Sequence, residues 1–248
     1  MTDDTSGGLS APLFAALLSA IAGSLDVIGL LELGLFTAHL TGNLVLLIAH
    51  VVRGGDARVA PLLAVPVFVV ALGVTGMLVR GLRSLGLGVL RPLLLVEVVL
   101  LAGCLAVRLT TGSSPDPNAA STILAGMLGV AAMGVQNALV SLWGAPSTTV
   151  MTTNVTRLTL AVGDILLGRE MTGGDGARSR ARQTWPVVAG FAVGCGLGAA
   201  CAAATGRWAL AVPAALALLA LGVGCRATRR ERSVQLPSAP SPVAGISR

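Results

Sequence analysis

Apolar residues run along this chain in long blocks separated by short polar stretches. The first block covers residues 12–36, with Pro12 at a helix-start position. A much shorter one covers 38–52, where only Leu44 to Val52 is continuously apolar apart from His50. Arg53 to Arg58 reads as a polar turn. A third block, 60–79, is closed by Arg80 and Arg83, and Arg91-Pro92 opens a fourth that runs to about 107. Thr110–Asn118 is rich in Pro, Ser, Asp and Gly and predicts a loop. Further spans are predicted over 119–142, 185–205 and 208–225, with a short, weakly apolar helix over 150–167. Blocks of roughly 20 apolar residues are the length a helix needs to cross a bilayer. The pattern therefore predicts an all-α, polytopic membrane helix bundle.

The same polar element occurs twice. Gly23-Ser24-Leu25-Asp26 is followed by Thr41-Gly42-Asn43, and Gly134-Val135-Gln136-Asn137 by Thr152-Thr153-Asn154, 111 residues later. Asp26 thus maps on Asn137 and Asn43 on Asn154. A polar element repeated inside apolar sequence points to two homologous halves, 12–109 and 119–225, of one membrane domain. Residues 1–11 read as a polar N-terminal tail, with neither the basic start nor the cleavage site of a removable signal peptide. Residues 226–248 read as a basic, disordered C-terminal tail.

Composition strengthens the membrane reading. Hydrophobic residues make up 54% and charged residues 11%, with mean hydropathy +0.85. A soluble domain carries about a quarter charged residues, so lipid must serve as solvent for most of this surface. The net charge of +6 does not imply nucleic acid, because the basic residues sit between blocks and in the tail. All 17 are Arg, which excludes a P-loop lysine and a Schiff-base lysine. Cys104, Cys195, Cys201 and Cys225 lie in or at the end of apolar blocks without metal-ligand spacing. Trp143, Trp185 and Trp208 fall at predicted span ends, where amphipathic rings anchor. Gly190, Gly194 and Gly198, four apart, predict a close helix–helix face.

Two topologies fit. Six full spans plus two short helices make the halves inverted; eight spans make them parallel. Counting arginines gives the same totals for both, and both place the two termini in the cytoplasm. The first is preferred. The 38–52 block is too short to cross, and its counterpart carries Arg157 and Asp164, which are expensive facing lipid.

Asp26, inside the first span, must face the protein interior or water, or hold a proton. Thr41, Gly42 and Asn43 sit at one short-helix start and Thr152, Thr153 and Asn154 at the other. Helix starts at membrane depth present free amides. Two of them converging on Asp26, with Gln136 and Asn137, would make a ligand-binding pocket for a small molecule or ion. The same groups could instead be interhelix glue, at ~0.6 kcal/mol per bond. Glu97 and Arg157 are expected to pair with each other. No catalytic signature, metal cluster or cofactor motif is present, so no enzyme activity is expected.

Ala22-Gly23-Ser24-Leu25-Asp26-Val27-Ile28-Gly29, His39-Leu40-Thr41-Gly42-Asn43, Gly134-Val135-Gln136-Asn137-Ala138 and Met151-Thr152-Thr153-Asn154 together resemble the YoaK-type bacterial membrane proteins. The resemblance covers roughly residues 12–225 and implies about six membrane helices in a bacterial cytoplasmic membrane. It brings no substrate. Thr153 stands where that family often has a second Gly. The expected function is a small-solute permease or secondary transporter with a polar midplane site. The alternative is a non-transporting membrane scaffold or accessory protein.

Overall fold

The computed structural model describes residues 10–53, 58–110, 116, 118–142, 147–168 and 176–234, leaving aside the side chains of 10, 11 and 225–234. Trp143, the centre of the Arg53–Arg58 turn and most of the C-terminal tail lie outside these residues. Every regular element among the described residues is helical: α1 Ser10–Ile28, α2 Leu40–Val52, α3 Val59–Ser84, α4 Leu90–Thr110, α5 Ala120–Leu142, α6 Met151–Leu166, α7 Ala177–Thr205 and α8 Ala211–Val234. A π-helical turn, Gly29–Leu33, follows α1, and a 3₁₀ turn, Gly206–Leu210, joins α7 to α8. α8 runs past the predicted boundary at 225 to Val234.

Polarity is arranged inside out relative to a soluble domain. Val52 is 80% exposed and Met77 70%, while Asp26, Asn43, Glu97 and Gln136 are buried. Water would reverse that distribution; lipid permits it. Five helical stretches are long and apolar enough to cross a membrane: Pro12–Leu33, Val59–Ser84, Leu90–Thr110, Ala120–Leu142 and Ala177–Gly224. The last is 48 residues long and contains the 3₁₀ turn, where the chain reverses. Pro66 and Pro186 stand inside α3 and α7. Each removes one backbone donor, which neighbouring helices make tolerable in a membrane helix.

Small residues set the helix directions. Cβ atoms added at Gly190, Gly194 and Gly198 of α7 would overlap the backbone of Ala16, Ala20 and Ser24 of α1. The numbers rise together, so α1 and α7 run parallel at close range, as the glycine stripe predicts. α1 and α5 run the opposite way: Gly129 faces Leu25, while Gln136 Nε2 donates to the Leu18 carbonyl at 2.9 Å. Gly224 of α8 lies against Leu90, Leu94 and Phe14, so α8 returns to the end where α1 and α4 begin. At the other end the Glu32–Arg108 ion pair (2.9 Å) and the Val59 N–H to Asn118 bond (3.2 Å) gather the end of α4 and the starts of α3 and α5.

A pair of backbone clasps as the candidate site

After α1 the chain must turn back. Gly34 makes the reversal in the left-handed region, at φ 72°, which favours glycine. The returning segment 35–39 lies against Asp26. The Asp26 Oδ1 accepts the Thr37 N–H (2.8 Å), the Ala38 N–H (2.7 Å) and the Thr37 hydroxyl (3.1 Å). His39 Nδ1 bonds the other oxygen, Oδ2. Asp26 is 3% exposed, and these donors compensate its charge there. The Asp26 hydrogen bond raises the His39 pKa above the ordinary imidazole value; burial opposes the rise and the Asp26 charge adds to it. The His39 ring is flanked edge-on by Phe36 and Phe191.

Asn43, one turn into α2, closes the loop. Its Oδ1 accepts the Phe36 N–H at 2.7 Å and its Nδ2 donates to the Phe36 carbonyl at 2.6 Å. Both backbone groups of a non-helical residue are thereby satisfied where water is scarce.

The second polar element is built alike. Asn154 Nδ2 donates to the Ser147 carbonyl at 2.5 Å, seven residues back, as Asn43 does to Phe36. Thr149 Oγ1 donates to Asn137 Oδ1 at 2.8 Å, twelve residues apart like Ala38 and Asp26. Each of these pairs is 111 residues from its counterpart. The residues before the short helices, His39 and Val150, have nearly the same backbone, φ −98°, ψ 78° and φ −93°, ψ 69°. Gln136 adds a bond to Thr148 Oγ1 at 2.9 Å.

The candidate residues therefore fall into two clusters. One joins Asp26 and Asn43, with Gly42 packed on the Phe36 ring; the other joins Gln136, Asn137 and Asn154. Thr41, Thr152 and Thr153 are exposed. The expected convergence of both helix starts on Asp26 is replaced by two separate clasps. Gln136 sits at the level of Leu18, eight residues before Asp26, so about 12 Å of helix rise separates them. The reason is the antiparallel course of α1 and α5, which carries the two polar elements toward opposite ends. The grooves between helices are apolar. One of about 530 Å³ lies between α3, α4 and α5, lined by residues such as Val70, Val74, Val96 and Leu100.

Gly23 clears room for the α7 backbone: a Cβ there would overlap the Phe191 carbonyl. The expected Glu97–Arg157 pair does not form, because Glu97 is fully buried on α4 with no hydrogen-bond partner and Arg157 is exposed on α6. Asp164 pairs instead with Arg180 at 3.0 Å, largely in the open, where such a pair contributes little. The His39–Asp26 and Glu32–Arg108 partnerships were not foreseen. The sequence signal was limited to ionisable residues within or at the ends of predicted blocks. Among the described residues no group of three His, Cys, Asp or Glu could hold a metal ion.

Buried polar clasps inside a lipid-facing helical bundle define a membrane protein. The chain belongs to the DUF1275 family of proteins of unknown function, which matches residues 14–223. No curated protein and no solved structure matches it.

Proposed function

We propose that the chain is a small-solute permease of the bacterial cytoplasmic membrane, built from two inverted homologous halves with both termini cytoplasmic. The observation that carries this reading is the recurrence of one clasp, 111 residues on, upon a helix of opposite direction. If α1 and α5 are equivalents and cross oppositely, each half crosses an odd number of times. Three full spans and one short returning helix per half satisfy that count. α2, with 13 residues, rises about 20 Å, short of the ~30 Å hydrocarbon core. Inverted halves with broken helices are the architecture of alternating access. In this reading each clasp closes one face, and the solute passes when one opens while the other holds. Only the first clasp has titratable members, Asp26 and His39, so proton coupling belongs to that face. No residue is given a catalytic role.

The test is uptake into proteoliposomes of a panel of amino acids, sugars and organic acids, with and without an imposed pH gradient. At least one solute is expected to accumulate, and Asp26→Asn to abolish the response to the gradient. Unchanged rate and pH dependence in that variant would remove the coupling.

A scaffold without transport is the second reading. It is favoured by the fact that the Asp26 carboxylate and the Asn43 amide spend their bonds on the chain itself. It predicts that Asn43→Ala lowers stability and alters no flux.

A further inference from the structure

Among the described residues Glu97 is the fully buried carboxyl that neither clasp uses. It lies on the buried stripe of α4 formed by Leu93, Leu94, Glu97, Leu101, Cys104 and Arg108. It is 0% exposed, and neither carboxyl oxygen has a hydrogen-bond partner. Across the interface two polar atoms of α5 are buried and unsatisfied, Thr122 Oγ1 near the helix start and Gln136 Oε1 further along. The packing brings Glu97 and Gln136 to one level. Cys104 of α4 faces Gly129 of α5. Glu97 lies seven residues before Cys104, and Gln136 seven residues after Gly129. Seven residues are two helical turns, which return each side chain to the same face. α4 and α5 run antiparallel, so both shifts go the same way along the bundle.

Among the described residues no opposite charge stands at that level. α5 carries no titratable side chain, and Ala211–Gly224 of α8 carries none. Arg108 is eleven residues further along α4, about 16 Å away and engaged with Glu32; Arg207 is on the 3₁₀ turn that meets that same end. Arg91 is exposed near the start of α4, six residues before Glu97. Asp26 is about 12 Å further along α1, engaged in its own clasp. An ionised carboxylate at Glu97 would be an uncompensated charge in an apolar interior, which proteins avoid by neutralising the group. A bare metal cation would find two or three oxygens where sodium-like ions need about six. A proton needs one.

We propose that Glu97 is a proton-binding site, set between α4 and α5 beside the clasp that Gln136 helps to close. The two carboxyls inside the bundle then differ. Asp26 spends its oxygens on four hydrogen-bond partners; Glu97 has none and is held as a neutral acid. The carboxyl that Asn137 lacks in the second clasp is carried instead by a neighbouring helix. Losing the proton leaves an uncompensated charge in the α4 interface at the level of Gln136, and relief requires α4 to part from α5 and admit water. This assignment does not depend on any solute being carried.

The test uses the full-length protein in lipid nanodiscs. A membrane-soluble carbodiimide, which reacts with protonated buried carboxyls, is applied at a series of pH values, and adducts are located by peptide mass spectrometry. An adduct is expected on Glu97 near neutral pH and not on Asp26, falling about tenfold per pH unit above its midpoint. Infrared spectra should show the carbonyl stretch of a protonated acid in wild type and Asp26→Asn, and lose it in Glu97→Gln. Labelling is read on wild type, so a poorly folded variant does not spoil the result. An adduct on Asp26 alone, no adduct on Glu97, or protection of Glu97 by sodium at fixed pH would each overturn the proposal.

Discussion

At the residue scale, asparagine does here what water does in a soluble loop. Phe36 is not helical, yet its N–H and C=O are both satisfied by the Asn43 amide. Asn43→Ala leaves two half-buried backbone groups of Phe36 unpaired, each worth up to about 1–3 kcal/mol. The expected result is a lower thermal midpoint in detergent and faster proteolysis near residue 36, while Thr41→Ala, on the exposed side of the same helix start, changes neither. His39 gives a prediction with a sign. Its pKa is raised in the folded state, chiefly by its hydrogen bond with Asp26, so its contribution is complete below the ordinary imidazole value of about 6.5. That contribution is lost as pH rises through the elevated folded value. The stability advantage of wild type over His39→Gln should therefore shrink with rising pH across that range; an advantage that grows instead contradicts the Asp26 partnership. Sequence spacing marked Asp26, Asn43, Asn137 and Asn154 as special, because polar residues in apolar blocks need partners. It could not name the partners. Those of Asp26 are backbone amides, which every residue has, and those of Asn43 and Asn154 lie seven residues back through a turn that has no pattern of its own.

At the element scale, glycine position decides which helices touch. Gly194 sits where any side chain would meet the Ala20 backbone, whereas Gly196, two residues on, has nothing within 4 Å. Gly194→Leu must push α7 off α1, an overpacking of about 1–3 kcal/mol or more. Gly196→Leu faces lipid and should be neutral. Thermal unfolding of the two variants in one detergent checks this, and equal midpoints would sink the assigned interface. The four-residue glycine spacing made this face legible in the sequence, though not its partner. The π turn after α1 was illegible: Gly29–Leu33 is apolar like the span before it, and only the left-handed Gly34 marks the reversal. Glu97 and Arg157 seemed natural partners as two buried-looking charges. Helix α6 places Arg157 outward, and spacing along the chain carries no information about that distance.

At the scale of the whole molecule, helix direction turns a repeated motif into a topology. α1 and α5 are antiparallel, with Leu25 beside Gly129 and Leu18 beside Gln136. Counting arginines could not choose between six and eight crossings, because the exchange of loops between sides leaves the totals unchanged. Packing favours the proposed six crossings. The Gly34 turn and Arg58 are neighbours, so the chain enters and leaves α2 at one end of the bundle. In the proposed six-span topology α2 starts and finishes at that end without crossing. Three single cysteines in a cysteine-free background test the consequence. Ser179→Cys lies in the arginine-rich region that both topologies place in the cytoplasm. With six crossings, Leu85→Cys reacts with an impermeant maleimide from the side of Ser179, and Arg53→Cys from the opposite side. With eight, the two exchange. If Arg53→Cys shares the side of Ser179, then α2 spans the bilayer, the halves are parallel, and the proposed inverted arrangement fails.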